Sequence, residues 1–176
     1  VVAGFDFSAV LKSDGTVWAW GGNNNHQLGD GTQVARNRPI QVPGLASIAK
    51  LFATASGIFA QQGDGTVWVT GRLPVEIPGG PGPASGPRHV VAYDGAVQIA
   101  GDQDGHTIVL KADGTVWTGG RQSSMALGVQ NSDDIAGLKQ LPGISDAIGV
   151  AAGYHAAMIV RRDGTVLSWG INSMGK

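Results

Sequence analysis

The sequence predicts an all-β fold made of repeated antiparallel sheets, and two features of the chain carry this prediction. The first is a phrase that recurs four times in 176 residues, as DGTVWAWG at 14–21, DGTVWVTG at 64–71, DGTVWTGG at 113–120 and DGTVLSWG at 163–170. The second is the surrounding sequence, which is rich in β-branched and aromatic residues and lacks long helical periodicity. A fixed period of about fifty residues is typical of propellers, solenoids and arrays.

The Asp-Gly pair that opens each phrase predicts a β-hairpin. In the first repeat, the strand-like runs FSAVL (7–11) and TVWAW (16–20) flank such a pair. Asp-Gly between two strand-like runs is a strong turn signal, because the turn needs a positive φ that glycine adopts without strain. The predicted turns are therefore Asp14-Gly15, Asp64-Gly65, Asp113-Gly114 and Asp163-Gly164.

Each complete repeat is predicted to supply four strands. Before the first hairpin, VVAG (1–4) suits a buried inner strand, and after it a long loop leads to a short outer strand at 40–42. Four antiparallel strands per repeat correspond to one blade of a β-propeller. We predict a single domain with repeat 1 at 1–46, a degenerate repeat 2 at 47–96, a degenerate repeat 3 at 97–146 and a partial repeat 4 at 147–176.

The tryptophans are predicted to pack between adjacent blades. Trp18 and Trp20 lie on the same face of one strand, because side chains alternate with a period of two. Large aromatic side chains at repeating positions favour packing over the alternative, an aromatic cage for a ligand. The predicted packing residues are Trp18, Trp20, Trp68, Trp117 and Trp169.

These motifs together resemble the RCC1-like repeat (regulator of chromosome condensation type). VVAGFDFSAVLKSDGTVWAWGGNNNHQLGDGTQVARNRPIQVPGL at 1–45 matches a whole repeat, and AIGVAAGYHAAMIVRRDGTVLSWGINSMGK at 147–176 matches the first part of another. Repeat 2 has Thr-Gly in place of Trp-Gly, and repeat 3 keeps only ALG (126–128) of the usual loop. The resemblance implies a propeller that binds other macromolecules, as an adaptor, an enzyme inhibitor or a nucleotide-exchange factor.

The resemblance also implies a half or partial propeller. Family members typically close seven blades, whereas about three and a half repeats are present in this sequence. A half ring would expose two apolar blade faces, which need a partner. Two arrangements would cover them and both stay open: this sequence is a fragment of a longer protein, or two copies close a ring head-to-tail.

Rim loops are the predicted partner-contact sites, because loops on a rigid scaffold often carry function. The loop at 22–36 contains NNNHQLGDG, whose Asn and Gly residues suit turn conformations. The loop at 72–88 includes the Pro/Gly-rich run GGPGPASGP. The predicted contact residues are Asn23, Asn24, Asn25, His26, Gln27, Arg36, Arg72, Arg88 and His89. The alternative for the first loop is a turn-rich connection with an exposed histidine.

We predict no catalytic residues, no cofactor and no metal. DQDG at 102–105 holds half of a calcium-loop pattern but lacks the remaining ligands. Asp6, Ser8 and His155 provide the residue types of a hydrolase triad, but their spacing predicts no such geometry. His106 and His155 each follow an inner-strand segment, and the resemblance implies that a histidine there is a repeat feature that bonds to nearby backbone.

Composition narrows the possible partners. The net charge is −1 and only 14% of residues are charged, so no basic face for nucleic acid is predicted. No apolar run is long enough to predict a membrane span, and the absence of cysteine excludes disulfides.

The prediction is a non-catalytic protein-binding scaffold. The alternatives are a structural repeat segment of a larger bacterial or surface protein, and a hydrolase. The cellular compartment stays open.

Overall fold

The computed structural model describes residues 1–73, 84–102, 105–121, 126–129 and 134–171. Within these residues the chain forms fifteen β-strands and one 3-10 helix at Val91–Tyr93. The strands are β1 Val2–Ala3, β2 Phe7–Leu11, β3 Val17–Gly21, β4 Arg36–Gln41, β5 Ile48–Ala53, β6 Gly57–Gln62, β7 Val67–Gly71, β8 Ala84–His89, β9 Ala96–Gly101, β10 His106–Lys111, β11 Val116–Gly120, β12 Ile135–Gln140, β13 Ala147–Gly153, β14 Ala156–Arg161 and β15 Val166–Gly170.

The strands form four antiparallel sheets in which neighbours in the chain are neighbours in the sheet. Sheet 1 contains β1–β4, sheet 2 contains β5–β8 and sheet 3 contains β9–β12, while sheet 4 contains β13–β15 among the described residues. This confirms the predicted all-β fold of four-stranded propeller blades. Sheet 3 begins at Ala96, one residue before the predicted start of repeat 3.

The four Asp-Gly pairs lie in the turns between the second and third strands of the sheets. In sheet 1 the Asp14 carboxylate accepts hydrogen bonds from the backbone N–H of Thr16 at 3.0 Å and from its hydroxyl at 2.6 Å. Gly15 has a φ of 79°, in the left-handed region that glycine tolerates. The same aspartate-to-threonine backbone bond recurs in the turns of the other three sheets.

The described chain divides into two compact units. Unit 1 contains sheets 1 and 2, and unit 2 contains sheets 3 and 4. The predicted repeat boundaries and the grouping of all repeats in one domain stay predictions.

Unit 1 is held together by apolar residues between its two sheets. Val17 and Ala19 of sheet 1 are fully buried, as are Ile58 and Ala60 of sheet 2. Burial of a valine or isoleucine side chain contributes roughly 1.5–3 kcal/mol, so this packing stabilises unit 1. The backbone N–H of Ile48 also donates to the carbonyl of Gly15 at 3.1 Å, which attaches the start of sheet 2 to the turn of sheet 1.

Unit 2 repeats this packing. Ile108 and Val116 of sheet 3 are fully buried against Ala157 and Ile159 of sheet 4. The backbone N–H of Ala147 donates to the carbonyl of Gly114 at 3.1 Å, at the position that corresponds to the Ile48–Gly15 bond of unit 1. Each unit therefore contains one copy of the same sheet-on-sheet contact.

The first strand differs from the sequence prediction. VVAG was predicted as a buried inner strand, but β1 covers only Val2–Ala3, with Val2 half-buried and Ala3 exposed. The strand is a short edge strand that pairs with β2, and its Val2 side chain packs against the unit 1 core.

The outer strands β4 and β8 carry proline at matching positions. Pro39 lies in β4 and Pro87 lies in β8, each two residues before the end of its strand. Proline lacks an N–H and so interrupts the hydrogen-bonding edge that another strand could join. The outer edges of unit 1 are thereby protected against strand addition.

Candidate protein-binding loop

The predicted loop at 22–36, which consists of the connection between β3 and β4 and the first β4 residue Arg36, is built around the buried side chain of Asn23. The Asn23 side-chain amide donates to the Asp30 carboxylate at 2.9 Å and to the carbonyl of Thr32 at 2.9 Å. The Asn23 side-chain oxygen accepts the backbone N–H of Leu28 at 3.0 Å. One side chain therefore joins three separate points of the loop, and its polar atoms are satisfied although the residue is fully buried.

An ion pair closes the base of the loop. The Arg36 guanidinium donates twice to one oxygen of Asp30, from Nε at 2.9 Å and from Nη2 at 2.6 Å. The other Asp30 oxygen accepts the backbone N–H and the hydroxyl of Thr32. Burial by itself would raise the pKa of Asp30, but the hydrogen bonds from Arg36, Thr32 and Asn23 lower it to about 2. Asp30 therefore stays ionised at neutral pH.

The middle of the loop packs inside unit 1. Gln27 is buried, and its side-chain amide donates to the Asp6 carboxylate at 3.0 Å. Its backbone carbonyl accepts the hydroxyl of Thr70 in β7 at 2.6 Å. Leu28 is fully buried in the unit 1 core, and the N–H of Gly31 donates to the carbonyl of Ser85 in β8 at 2.7 Å. Sheet 2 therefore helps to fix the shape of a loop that belongs to sheet 1.

The predicted contact residues of this loop divide into two groups. Asn23 and Gln27 are buried, so they hold the loop and are not available to a partner, which corrects their prediction as contact residues. Asn24 is exposed, while Asn25, His26 and Arg36 are half-buried. The burial of Asn23 and Gln27 follows from the hydrogen bonds that their amides form within unit 1.

The second predicted loop is described only in part, because residues 74–83 lie outside the described residues, and its last residues, 84–88, belong to strand β8 and not to a loop. Arg72 and His89 are exposed and Arg88 is half-buried. The His89 ring contacts the Asp94 carboxylate at 2.8 Å and lies 5.9 Å from the centre of the Trp68 ring. His89 is therefore already engaged within unit 1.

Two exposed residues of the 22–36 loop were missed by the sequence analysis. Val34 is 59% exposed, and the Gln33 side chain donates to the carbonyl of Asn24 at 2.9 Å. Together with Asn24 they form the outward side of the loop, which we call the loop surface (Asn24, Gln33 and Val34). The signal in the sequence was that Val34 is the one large apolar residue in the run GDGTQVARN.

The described contacts of the tryptophan side chains are with the protein itself. The Trp169 indole N–H donates to the carbonyl of Ala126 at 2.7 Å, and Trp169 borders the core of unit 2. Trp18 and Trp117 donate to the threonine hydroxyls of their own turns at 3.2 and 3.0 Å. Trp68 borders the core of unit 1 and donates to Gln62 at 3.2 Å. Trp20 is half-buried on the same face as Trp18.

The residues considered for catalysis or metal binding have other partners. The Asp6 carboxylate accepts the Gln27 amide, and the backbone N–H of His155 donates to the Asp102 carboxylate at 3.3 Å. Asp104 lies outside the described residues. Among the residues that the structure describes, no group of three or more His, Asp or Glu side chains could hold a metal ion.

His106 is buried without the backbone bond predicted for its ring. Its two ring nitrogens have no hydrogen-bond partner among the described residues, and Nδ1 lies 4.0 Å from the Asp102 carboxylate. Burial lowers the pKa of His106, and the charge of Asp102 opposes this effect only in part. His106 is therefore a neutral, buried side chain at pH 7, which corrects its interpretation as a ring bonded to backbone.

The described part of the chain contains no helix long and apolar enough to span a membrane. The structure therefore offers no candidate for a helical membrane segment within the residues it describes.

Comparisons with known proteins identify the same repeat. Two models of the "Regulator of chromosome condensation (RCC1) repeat" match residues 14–60 and 147–176. Protein pim1 of Schizosaccharomyces pombe is 26% identical over 97% of this chain and 36% of its own length. Human RCC1 domain-containing protein 1 is 25% identical, over 98% of this chain and 44% of its own length. The human E3 ubiquitin-protein ligase HERC2 is 26% identical, over 98% of this chain and 4% of its own length. The chain thus spans less than half of each of these relatives.

Solved structures show the same fold. Yeast RCC1 (Prp20), solved bound to Kap60, superposes with a TM-score of 0.82 at 22% identity, over 96% of this chain and 42% of that protein. A second structure is that of Prp20p from Saccharomyces cerevisiae, described with its binding properties to Gsp1p and histones. It superposes with a TM-score of 0.79 at 22% identity, over 95% of this chain and 44% of that protein. At these identities the likeness establishes the fold.

Proposed function

We propose that the chain, which matches RCC1 repeat models at 14–60 and 147–176, is a non-catalytic scaffold that binds a protein partner through the loop at 22–36. The observation that carries this proposal is the hydrogen-bond network of the buried Asn23 with the half-buried Asp30 and Arg36 beneath an outward-facing surface. A loop held in one shape by buried polar contacts loses little conformational freedom on binding, which favours affinity.

The composition of the loop surface suits a protein partner. Val34 offers an exposed apolar side chain, and Asn24 and Gln33 surround it with uncharged hydrogen-bonding groups. Protein interfaces commonly combine an apolar centre with a polar rim. Arg72 and the half-buried Arg88 are proposed as further contacts from sheet 2, with Asn25, His26, Arg36 and His89 as secondary ones.

The similar proteins support a protein as the partner class. Yeast Prp20 is described in complex with Kap60 and as binding Gsp1p and histones, all of which are proteins. We propose the same class of partner here, with an adaptor, inhibitor or exchange-factor-like role. We expect no direct nucleic-acid binding, because a net charge of −1 gives little attraction to phosphates.

Affinity capture with matched variants tests this proposal. The loop variant Asn24→Asp/Gln33→Glu/Val34→Asp changes only the loop surface and leaves the Asn23–Asp30–Arg36 network intact. The control variant Lys50→Glu/Val91→Asp changes exposed residues elsewhere in unit 1. Gsp1p, Kap60 and histones serve as purified probes, followed by extracts analysed by quantitative mass spectrometry.

We expect at least one protein to be captured by the wild type and by the control variant, and to be captured in at least tenfold smaller amount by the loop variant. If the wild type, the loop variant and the control variant all capture the same proteins in the same amounts, the loop does not bind a partner. The structural-segment alternative then takes its place. Turnover of an ester, glycoside or phosphate substrate by the pure protein would favour the hydrolase alternative.

A further inference from the structure

The turn between β1 and β2 presents an aromatic ring to solvent. We call it the aromatic turn (Gly4, Phe5 and Asp6), and its Phe5 is 71% exposed although it is a large apolar residue. In unit 2 the turn between β13 and β14 has Tyr154 at the equivalent position, directly after a glycine. Tyr154 is 62% exposed. An exposed aromatic side chain therefore occurs at this turn in both units.

Neighbouring sheets do not cover this position. Phe5 lies beside the sheet that follows it, since its backbone N–H donates to the carbonyl of Ala55 in the corresponding turn of sheet 2 at 3.1 Å. Tyr154 lies beside the sheet that precedes it, since the N–H of the adjacent His155 donates to the Asp102 carboxylate, next to β9 of sheet 3. One ring is exposed beside a following sheet and the other beside a preceding one, so neither kind of neighbour buries it.

Backbone hydrogen bonds hold the aromatic turn in place. The N–H of Gly4 donates to the carbonyl of Phe7 at 2.9 Å, and the carbonyl of Asp6 accepts the N–H of Gly22 at 2.8 Å. Together with the bond from Phe5 to sheet 2, these contacts fix each residue of the turn. Groups that are held before a partner arrives lose less conformational freedom on binding.

Asp6 places a negative charge beside the exposed ring. Its carboxylate accepts the side-chain amide of Gln27 at 3.0 Å, which is a neutral donor. Asp6 is exposed, and none of the ion pairs among the described residues includes it. The Asp30 carboxylate, by contrast, is paired with Arg36. The aromatic turn thus combines an exposed ring with a carboxylate whose charge is not compensated within the described part of the chain.

We propose that the aromatic turn binds an arginine side chain of the protein partner. An aromatic ring attracts a cation to its face, and a carboxylate forms charge-assisted hydrogen bonds with a guanidinium. Arginine suits both groups, because its planar guanidinium stacks on rings and pairs with carboxylates. Consecutive Cα atoms are about 3.8 Å apart, so one guanidinium can reach Phe5 and Asp6 together. This inference rests on the proposed function, since it names the chemistry of the partner, a protein segment with exposed positive charge.

The aromatic turn adjoins the loop at 22–36. The Gln27 side chain connects them, because its amide donates to Asp6 and its oxygen accepts the backbone N–H of Asn25 at 2.8 Å. Phe7, the first residue of β2, pairs with Gly21, the last residue of β3, so the turn and the loop lie at the same end of sheet 1. One partner can therefore contact the loop surface and the aromatic turn at the same time.

Titration of the isotope-labelled protein with a hexa-arginine peptide, followed by NMR, tests the site. A hexa-citrulline peptide is the matched probe, because citrulline keeps the shape of arginine without its charge. We expect hexa-arginine to shift the amide signals of Phe5 and Asp6 in a saturable way and to bind about tenfold more tightly than hexa-citrulline. Added salt should weaken this binding, because it screens charges at the surface.

Two variants separate the ring from the charge. Asp6→Asn removes the charge but keeps an oxygen that can accept the Gln27 amide, and Phe5→Leu removes the ring but keeps an apolar side chain. Each is expected to weaken hexa-arginine binding about threefold to fivefold. The controls are Tyr154→Leu, at the equivalent turn where His155 follows the ring, and Asp134→Asn, which removes one charge from an exposed residue of unit 2. Both controls are expected to bind as the wild type does.

Three results would overturn the proposal. The first is equal binding of the two peptides, or no shift at Phe5 and Asp6, which would mean that the turn does not recognise a cation. The second is that Phe5→Leu and Asp6→Asn, with NMR spectra that show a folded protein, weaken binding no more than the controls do.

The third is a partner that the loop variant loses in the affinity capture but that Phe5→Leu and Asp6→Asn capture in the wild-type amount. This last result would leave the proposed function intact. The loop variant keeps Phe5 and Asp6 unchanged, so a failure of the proposed function is seen separately from a failure of this inference.

Discussion

At the scale of single residues, Asp30 links the shape of the loop to pH. Its folded-state pKa of about 2 lies below the ordinary value of 3.8, because Arg36, Thr32 and Asn23 favour the carboxylate. A lowered carboxyl pKa contributes stability that is present above the unfolded pKa and is lost as pH falls through the folded one. The network around Asp30 therefore stabilises the fold at neutral pH and weakens in acid.

We predict that Asp30→Asn lowers the free energy of unfolding at pH 7 by up to about 2 kcal/mol, the linkage value of the shift. The wild-type protein should lose this difference between about pH 4 and pH 2. Urea unfolding of both proteins across this range measures it. If the free energies of unfolding of the two proteins differ by as much at pH 2 as at pH 7, the ionisation of Asp30 does not cause the difference.

His106 also makes folding stability fall as the pH drops, because burial disfavours the protonated ring. Burial lowers its pKa below the ordinary 6.5, so the folded state favours the neutral ring. Folding stability from this residue is present above pH 6.5 and falls as the pH drops and the unfolded chain takes up the proton. We predict that His106→Phe removes part of the loss of stability between pH 7 and pH 5, because the phenyl ring has no proton to gain.

Thermal unfolding of the wild type and of His106→Phe at several pH values checks the role of His106. Because the His106 side chain is only 1% exposed, this variant should flatten the pH profile. Identical slopes for the wild type and His106→Phe would contradict the prediction. At pH 7 the variant should be near wild-type stability, since the ring nitrogens of His106 make no hydrogen bond among the described residues.

At the scale of sheets, equivalent valines provide a matched comparison. Val17 is fully buried between the sheets of unit 1, and Val166 is 52% exposed on sheet 4. We predict that Val17→Ala costs about 2 kcal/mol, from lost burial and a small cavity, while Val166→Ala costs less than about 0.5 kcal/mol. Chemical denaturation of dilute protein measures both values. Equal costs would mean that sheet 4 is covered as sheet 1 is.

Some features of the sheets could be predicted from the sequence and others could not. The Asp-Gly turns depend on residues two apart, such as Asp14 and Thr16, so local pattern is enough. The burial of Gln27 depends on the Thr70 hydroxyl, which lies 43 positions away and becomes a neighbour only when the sheets stack. Sequence reasoning therefore predicted the blades but assigned a structural glutamine to the partner surface.

At the scale of the whole molecule, the chain combines repeated sheets with a loop that internal hydrogen bonds hold in place. The family resemblance and the all-β fold were predicted from four recurrent phrases and are confirmed. The loop surface could not be predicted, because the sequence alone does not show which polar residues of 22–36 turn inward. Asn23 and Asn24 are adjacent in the chain, yet one is fully buried and the other is exposed.

We propose that hydrogen bonds to Asn23, Asp30 and Ser85 hold the 22–36 loop in one shape for a partner. Amide hydrogen exchange of the wild-type protein tests it most directly, by following the N–H groups of Leu28, Gly31 and Thr32, which donate to Asn23, Ser85 and Asp30. We predict protection within tenfold of that of β3 and β7, and faster exchange at Thr32 in Asp30→Asn. Exchange at the rate of an unstructured peptide would contradict the claim.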